Sequence, residues 1–283
     1  MDEKRVAPML ARKLSSATLS ALARHLDGLV RRVPAGYIPL FAENQAIGAL
    51  SPDFARRVRE VGFPFLADGD SLQLDPALTG GALESAWMAQ VTALRKEGWF
   101  RAWREEYFDV RLGAADDSAA VLCRLERGAF RRFGLRSRAV HLNAVTPDGR
   151  MWIARRAAGK AIDPGLLDNL VGGGLASGET PRAALLRECA EEAGIAPDLA
   201  GRARPMGTLF ARREEDEGIH NEWLHVWQLE LPVDFAPRNT DGEVDGFMLL
   251  DRAELAARIL ADEFTTDAAA VAATWLLGRF PQR

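Results

Sequence analysis

Residues Gly173 to Ile195 read GGLASGETPRAALLRECAEEAGI. A glycine-rich turn leads into Glu179-Thr180-Pro181, an N-cap region with proline in the first turn, where its missing N–H has no helical partner to lose. Gly194 predicts the end of the helix, because glycine takes the left-handed conformation of a C-cap without strain. Between these limits Glu188, Glu191 and Glu192 stand at i, i+3 and i+4 and share one face, while Ala184, Leu185, Cys189 and Ala193 are free to pack elsewhere. Like charges at that spacing repel, so the pattern asks for a cation among the carboxylates. An all-oxygen donor set suits a hard ion such as Mg²⁺, with Mn²⁺ as the alternative.

In these residues the chain resembles the Nudix hydrolases, whose signature is G-x5-E-x7-R-E-U-x-E-E-x-G-U with U apolar. Gly173, Glu179, Arg187, Glu188, Glu191, Glu192 and Gly194 fill every fixed position. With each residue type at roughly one in fourteen, such a coincidence arises about once in a hundred million placements. Cys189 takes a slot usually held by a larger aliphatic side chain, and a buried cysteine behaves as a small hydrophobe. The resemblance implies an α-β-α sandwich and hydrolysis of a diphosphate with Mg²⁺. It assigns metal ligation to Glu188, Glu191, Glu192 and the Gly172 carbonyl, places Glu179 in the metal site holding a metal-bound water or the arginine, and has Arg187 orient the carboxylates.

Bulk properties narrow the setting. A chain of 283 residues, 48% of them apolar, has material for two cores. With 36 basic against 40 acidic residues the net charge is −4, which gives no electrostatic footprint for a nucleic acid polymer. Cys123 and Cys189 build neither a disulfide framework nor a CxxC metal knuckle, so a reducing cytoplasm is expected. The start, MDEKRVAPMLARKLSS, shows no export signal, and no run of 18 apolar residues predicts a membrane span.

In chain order, Leu19, Leu22, Leu26 and Leu29 mark one face of a helix over residues 14–29, closed by Arg31-Arg32 and Pro34. Two short strands follow at 37–41 and 46–50, then a helix opened by Ser51-Pro52-Asp53, a strand at 71–74 and a helix over 84–97. This is a small α+β unit. The polar run GAADDS, 113–118, marks a boundary, dividing the chain into 1–115 and 116–283. Beyond it, strands are expected at 121–127, 139–145, 151–154, 167–171, 205–211, 225–231 and 244–250, and helices over 251–260 and 267–277. The expected fold is thus α/β (α+β), an α-β-α sandwich preceded by a smaller α+β domain.

Arg155-Arg156, Lys160, Pro164-Gly165, Leu167-Asp168-Asn169, the run Asp241-Gly242-Glu243-Val244 and the N-terminal α+β region are similar to the Nudix branch associated with thiamine pyrophosphokinases. That resemblance implies thiamine diphosphate, or its oxidised analogues, as substrate. Family members place a further carboxylate far along the chain. Glu243 is the choice here, with Glu214, Glu215, Asp216, Glu217 and Glu222 competing. Arg155, Arg156, Lys160, Arg212 and Arg213 are candidates to grip phosphate oxygens, and Trp152, Phe210 and Trp223 to stack on a heterocycle. His141, His220 and His225 have no ligand spacing and read as structural or peripheral. Two other readings stay open: a pyrophosphatase of nucleoside diphosphate derivatives such as ADP-ribose, and a non-catalytic binding or sensor protein. An isomerase use of the fold needs a reactive cysteine, and Cys189 lies on a face expected to be buried. The partner expected is a small diphosphate, with a homodimer left open.

Overall fold

A computed structural model describes residues 13–29, 33, 35–62, 64–112, 119–160 and 162–280. Residues 1–12, the helix stop at 31, 32 and 34, and the boundary segment 113–118 lie outside the described residues.

The first helix, α1 (Ser16–Gly28), is capped by Ser15, whose hydroxyl accepts from the Thr18 N–H. Strands β1 (Ile38–Ala42) and β2 (Gln45–Leu50) form a hairpin whose turn residues Glu43 and Asn44 both have positive φ, as a two-residue turn requires. Pro52 starts α2 (Pro52–Val61), followed by β3 (Phe65–Asp68), β4 (Ser71–Leu74) and α3 (Gly80–Lys96). The four strands form one sheet in the order β2-β1-β4-β3. A hairpin of β5 (Tyr107–Arg111) and β6 (Val121–Glu126) and the short helix α4 (Phe130–Phe133) complete the unit. Phe54, Phe65, Trp87 and Phe133 pack in its centre with ring centroids 5.0 to 5.7 Å apart, mostly edge to face.

The second unit begins with β7 (Ser137–Val145) and β8 (Met151–Arg156). Then come β9 (Leu167–Asn169), β10 (Val171–Gly174), α5 (Pro181–Ala193) and α6 (Pro197–Ala200). Strands β11 (Arg204–Glu215), β12 (Gly218–Glu230) and β13 (Val244–Leu250) and helices α7 (Arg252–Leu260) and α8 (Thr266–Leu277) end the chain. The central sheet runs β11-β12-β7-β8-β13, with β10 added to β7 and β9 to β8. The β7–β12 pair is parallel and the rest are antiparallel. Val140, Leu142 and Ala144 of β7 pack with Leu185 and Cys189 of α5. Val145 and Ile153 pack with α7 and α8 on the other side. The architecture is therefore an α-β-α sandwich preceded by an α+β region, as expected.

Two details differ from the sequence reading. The core of the first unit runs from Leu40 to Leu135, so the boundary drawn at 115/116 falls inside it and β6 and α4 stay with the first unit. Helix α1 belongs to the opposite core, because Leu22 is buried among Leu255, Ala272 and Leu276. No helix among the described residues is long and apolar enough to cross a membrane.

Candidate active site

Helix α5 is fixed at both ends by its own sequence. The Thr180 hydroxyl accepts from the Ala183 N–H, Pro181 occupies the first turn, and Gly194 closes the helix at φ 62°. Its apolar face sinks Ala184, Leu185, Cys189 and Ala193 completely. That orientation turns Glu188, Glu191 and Glu192 toward the glycine strand β10 and into the wall of a cavity of about 280 Å³.

Arg187 organises the carboxylates. It donates from Nε and Nη2 to the two oxygens of Glu179, each at 2.9 Å, and from Nη1 to Glu188 Oε1 at 2.7 Å and Glu191 Oε2 at 3.2 Å. A last bond, 3.2 Å, goes to the Gly174 carbonyl. The Gly172 N–H donates to Glu192 Oε2 at 2.9 Å. Amide and carbonyl of one strand residue point to the same edge, so the Gly172 carbonyl also faces the glutamates. A Cβ at Gly173 would overlap the Glu188 carboxylate, so glycine leaves the space that this carboxylate occupies beside the strand.

Burial, reinforced by the charge of Glu188, pushes the Glu192 carboxyl well above the usual carboxylate range. Burial also raises Glu188, although Arg187 pulls the other way. Two buried carboxylates that resist ionising together, with a strand carbonyl beside them, form the donor set that a divalent cation would complete. The residues present fit such an ion.

Across the cavity, Lys160 is ion-paired with Glu243, whose other oxygen lies 3.5 Å from Arg104. Burial works against ionisation of Glu243, but Lys160, Arg104 and Arg127 together hold it below the usual range. Arg156 donates to Asp168 at 2.9 Å, and His141 Nδ1 lies 2.9 Å from Asn169. Burial raises the Asp168 carboxyl against the pull of His141 and Arg156.

The first unit supplies part of this site. Asp109 on β5 accepts from the Ser177 hydroxyl at 2.6 Å and the Gly178 N–H at 3.2 Å, and the Tyr107 carbonyl accepts from the Ser177 N–H at 2.7 Å. Burial opposes its ionisation, but Ser177, Gly178 and Arg111 keep the Asp109 carboxyl below its ordinary range. The loop between β10 and α5 is thus clamped by the N-terminal hairpin. Phe108, Arg104, Arg127, Phe130 and Arg131 of the first unit also line the cavity.

Glu188, Glu191, Glu192, Arg187, Glu179 and Gly172 are brought together, and Glu243, Arg156 and Lys160 border the same cavity. Arg155 is not part of it. Its side chain is exposed and donates to the Gly165 carbonyl at 2.8 Å. Arg212 is exposed on β11, and strand alternation turns its neighbour Arg213 inward instead. Trp152 packs against the core under α5, and Phe210 lies against Trp223 with ring centroids 4.6 Å apart and tilted by 39°, and none of the three borders the cavity. His141 and His220, read as structural or peripheral, border it. Of the competing carboxylates, Glu214 accepts from Tyr37, Glu215 pairs with Arg213, and Asp216 lies 3.8 Å from Arg101. Glu217 and Glu222 reach the cavity. Sequence reasoning missed Asp109 and Asp267 and gave Asp168 no role. Asp109 stands between Phe108 and Val110 and Asp168 between Leu167 and Asn169. A charge inside an otherwise inward-facing strand segment was the available signal.

The sandwich, the helix that carries three carboxylates and the arginine that holds them match the frame that the Nudix resemblance implies. Comparison with known proteins agrees: the NUDIX domain profile covers residues 135–272, and a profile described as "Domain of unknown function (DUF4743)" covers 26–137. Nudix hydrolase 24, chloroplastic, of Arabidopsis thaliana is 33% identical over 237 residues, spanning 82% of this chain and 64% of that one. Nudix hydrolase 20, chloroplastic, of the same plant is 32% identical over 81% of this chain and 64% of its own length. An uncharacterized Nudix hydrolase of Streptomyces coelicolor is 33% identical over 56% of this chain and 84% of its own. The chain belongs to the Nudix hydrolase family, and it spans about 64% of the length of the two plant relatives.

Proposed function

We propose that the protein hydrolyses the phosphoanhydride of a small diphosphate compound, with thiamine diphosphate or its oxidised analogues as substrate and a monophosphate plus orthophosphate as products. The observation that carries this reading is the donor set of Glu188, Glu191, Glu192 and the Gly172 carbonyl, locked by Arg187 beside a cavity of about 280 Å³. That volume sits at the small end of ligand pockets, and Phe108, Phe130 and Arg131 are among the residues that line it.

A bound divalent ion would supply charge neutralisation of the phosphate oxygens and a more acidic water. The protein's part is to position the groups around it. Arg187 keeps Glu188 and Glu191 aimed into the cavity and resists their mutual repulsion. Lys160 and Arg156 face the same space and offer charge-assisted bonds to the diphosphate. A phosphate that takes Lys160 releases Glu243, which then rises toward the pKa of a useful base. Glu243 accepts the proton of the attacking water as the new P–O bond forms at the terminal phosphorus. The anhydride bond breaks, and its electron pair stays on the monophosphate.

The test is product analysis with Mg²⁺ present. Orthophosphate from oxidised thiamine diphosphate, at a kcat/KM at least about tenfold above that for ADP-ribose, is expected, a gap of about 1.4 kcal/mol in transition-state binding. AMP released from ADP-ribose with the thiamine compound inert would overturn the substrate assignment.

A further inference from the structure

We infer that the end of the cavity remote from the glutamate helix is a recognition floor. There Glu222, flanked by His220, selects diphosphates whose head group carries N–H donors or positive charge. The inference deepens the diphosphatase reading and rests on it.

Strand β7 serves as a ruler. Ser137, Ala139 and His141 alternate along one face and all border the cavity. His141 is paired with Gly172, beside the glutamates, while Ser137 is paired with Glu222. Four residues at roughly 3.3 Å each set the two ends about 13 Å apart, which accommodates a diphosphate and a compact ring system between them.

The floor is rich in acceptors. Glu222 Oε1 accepts from the Ser137 hydroxyl at 2.7 Å, and its Oε2 lies 3.7 Å from His220 Nε2. His220 is 6% exposed, and its Nε2 is 3.0 Å from Asp267 Oδ2 yet makes a well-directed hydrogen bond to neither carboxylate. The other two acids there are already neutralised. Arg213 reaches Asp267 at 2.6 Å and Glu215 at 2.8 Å, and Arg131 adds a second cation at Glu215. Glu222 has the Ser137 hydroxyl as its hydrogen-bond donor, and His220, 3.7 Å away, is shared with Asp267, to which it is nearer at 3.0 Å. A half-matched, partly buried carboxylate costs some stability, and a ligand bearing donors would offset that cost. The same charge repels a diphosphate, so the substrate enters head group first and its phosphates stop at the metal end.

Thiamine diphosphate and isopentenyl diphosphate test this, since both end in a diphosphate but only the first has an amino-heteroaryl, cationic head. Glu222→Gln is expected to shrink the ratio of their kcat/KM values by about tenfold or more, through KM for the thiamine compound, and Glu222→Asp to recover part of it. An equal loss on both substrates, or an unchanged ratio, overturns the inference. So does a His220→Ala variant that loses one equivalent of Mn²⁺ by calorimetry, because the cluster would then be a metal site. If the wild-type protein cleaves neither compound, the diphosphatase reading fails by itself. Calorimetric binding of thiamine diphosphate, tenfold weaker to Glu222→Gln than to wild type, still supports the floor, and equal binding refutes it.

Discussion

The two ends of the cavity are built in opposite ways. At the metal end, Glu179, Arg187, Glu188, Glu191 and Glu192 come from one loop and one helix, within fourteen positions of each other, and Arg187 joins them. At the far end, Glu222, Asp267, Arg213 and Arg131 come from β12, α8, β11 and the N-terminal unit. The contrast separates reaction from selection. Charge neutralisation and water activation need a fixed constellation, which a rigid helix provides. Recognition of a particular head group needs surfaces from several elements, so each can change without disturbing the chemistry.

The largest expected effect lies at the metal end. Glu191→Gln and Glu192→Gln should each lower kcat by about a hundredfold or more, since each loses an anionic donor. Apo stability should hold or rise, because repulsion between Glu192 and Glu188 is relieved while glutamine can still accept from the Gly172 N–H. Steady-state kinetics at saturating Mg²⁺ and thermal melts of the metal-free protein check both halves. Near-normal turnover in either variant would remove the helix from the chemistry.

Glu243 tests where the metal end stops. Its glutamine variant should keep most of the substrate affinity and lose about a hundredfold in kcat, whereas Glu214→Gln and Glu215→Gln should stay active, being committed to Tyr37 and Arg213. In the free enzyme Glu243 sits below the ordinary carboxylate range, so the acidic limb of kcat/KM should lie lower than that of kcat, in which the phosphate has taken Lys160. Coincident limbs would break the proposed exchange.

What the sequence disclosed follows the same division. Helix α5, its Thr180 and Gly194 caps and the face carrying three glutamates were legible because all of that information is local. Strand β3 was not, since Leu66, Ala67 and Asp68 are exposed and give no alternation. The hairpin β11–β12 was read too short, because Arg212-Arg213-Glu214-Glu215 looks like a solvated loop until the cross-strand pairing and the ion pairs inside it are seen. Nor does an amphipathic helix say which core it will cover, so α1 gave no sign that it packs on α8. The contribution of Asp109, Arg104 and Arg127 to the site exists only after the two units meet.

Asp109 joins the two units, and its variant should act on both. Asp109→Asn leaves Ser177 and Gly178 with a weaker acceptor and weakens the ion pair with Arg111, so a loss of about 1–3 kcal/mol is expected. A loosened loop before α5 should also lower kcat/KM by about tenfold, since small displacements of positioned groups are costly. A melt that shifts with activity intact would make the hairpin a stabiliser only.

The smallest effect is a pH dependence at the far end. Burial alone would lower the His220 pKa, but Asp267 and Glu222 raise it above its ordinary value, while His220 and Arg213 together depress Asp267 against its own burial. A histidine raised in the folded state contributes stability that is complete below about pH 6.5 and is lost as pH climbs through the folded-state value. The depressed Asp267 contributes above about pH 4 and gives no slope near neutrality. Urea midpoints should therefore fall between about pH 6 and 8.5 in the wild-type protein, and fall less in His220→Asn. Glu192 slopes the same way in the metal-free state, so the His220 share is the difference between the two proteins measured under identical conditions. Parallel curves for the two would mean that His220 is uncharged in the folded protein, and Glu222 would then face the cavity without an imidazolium beside it.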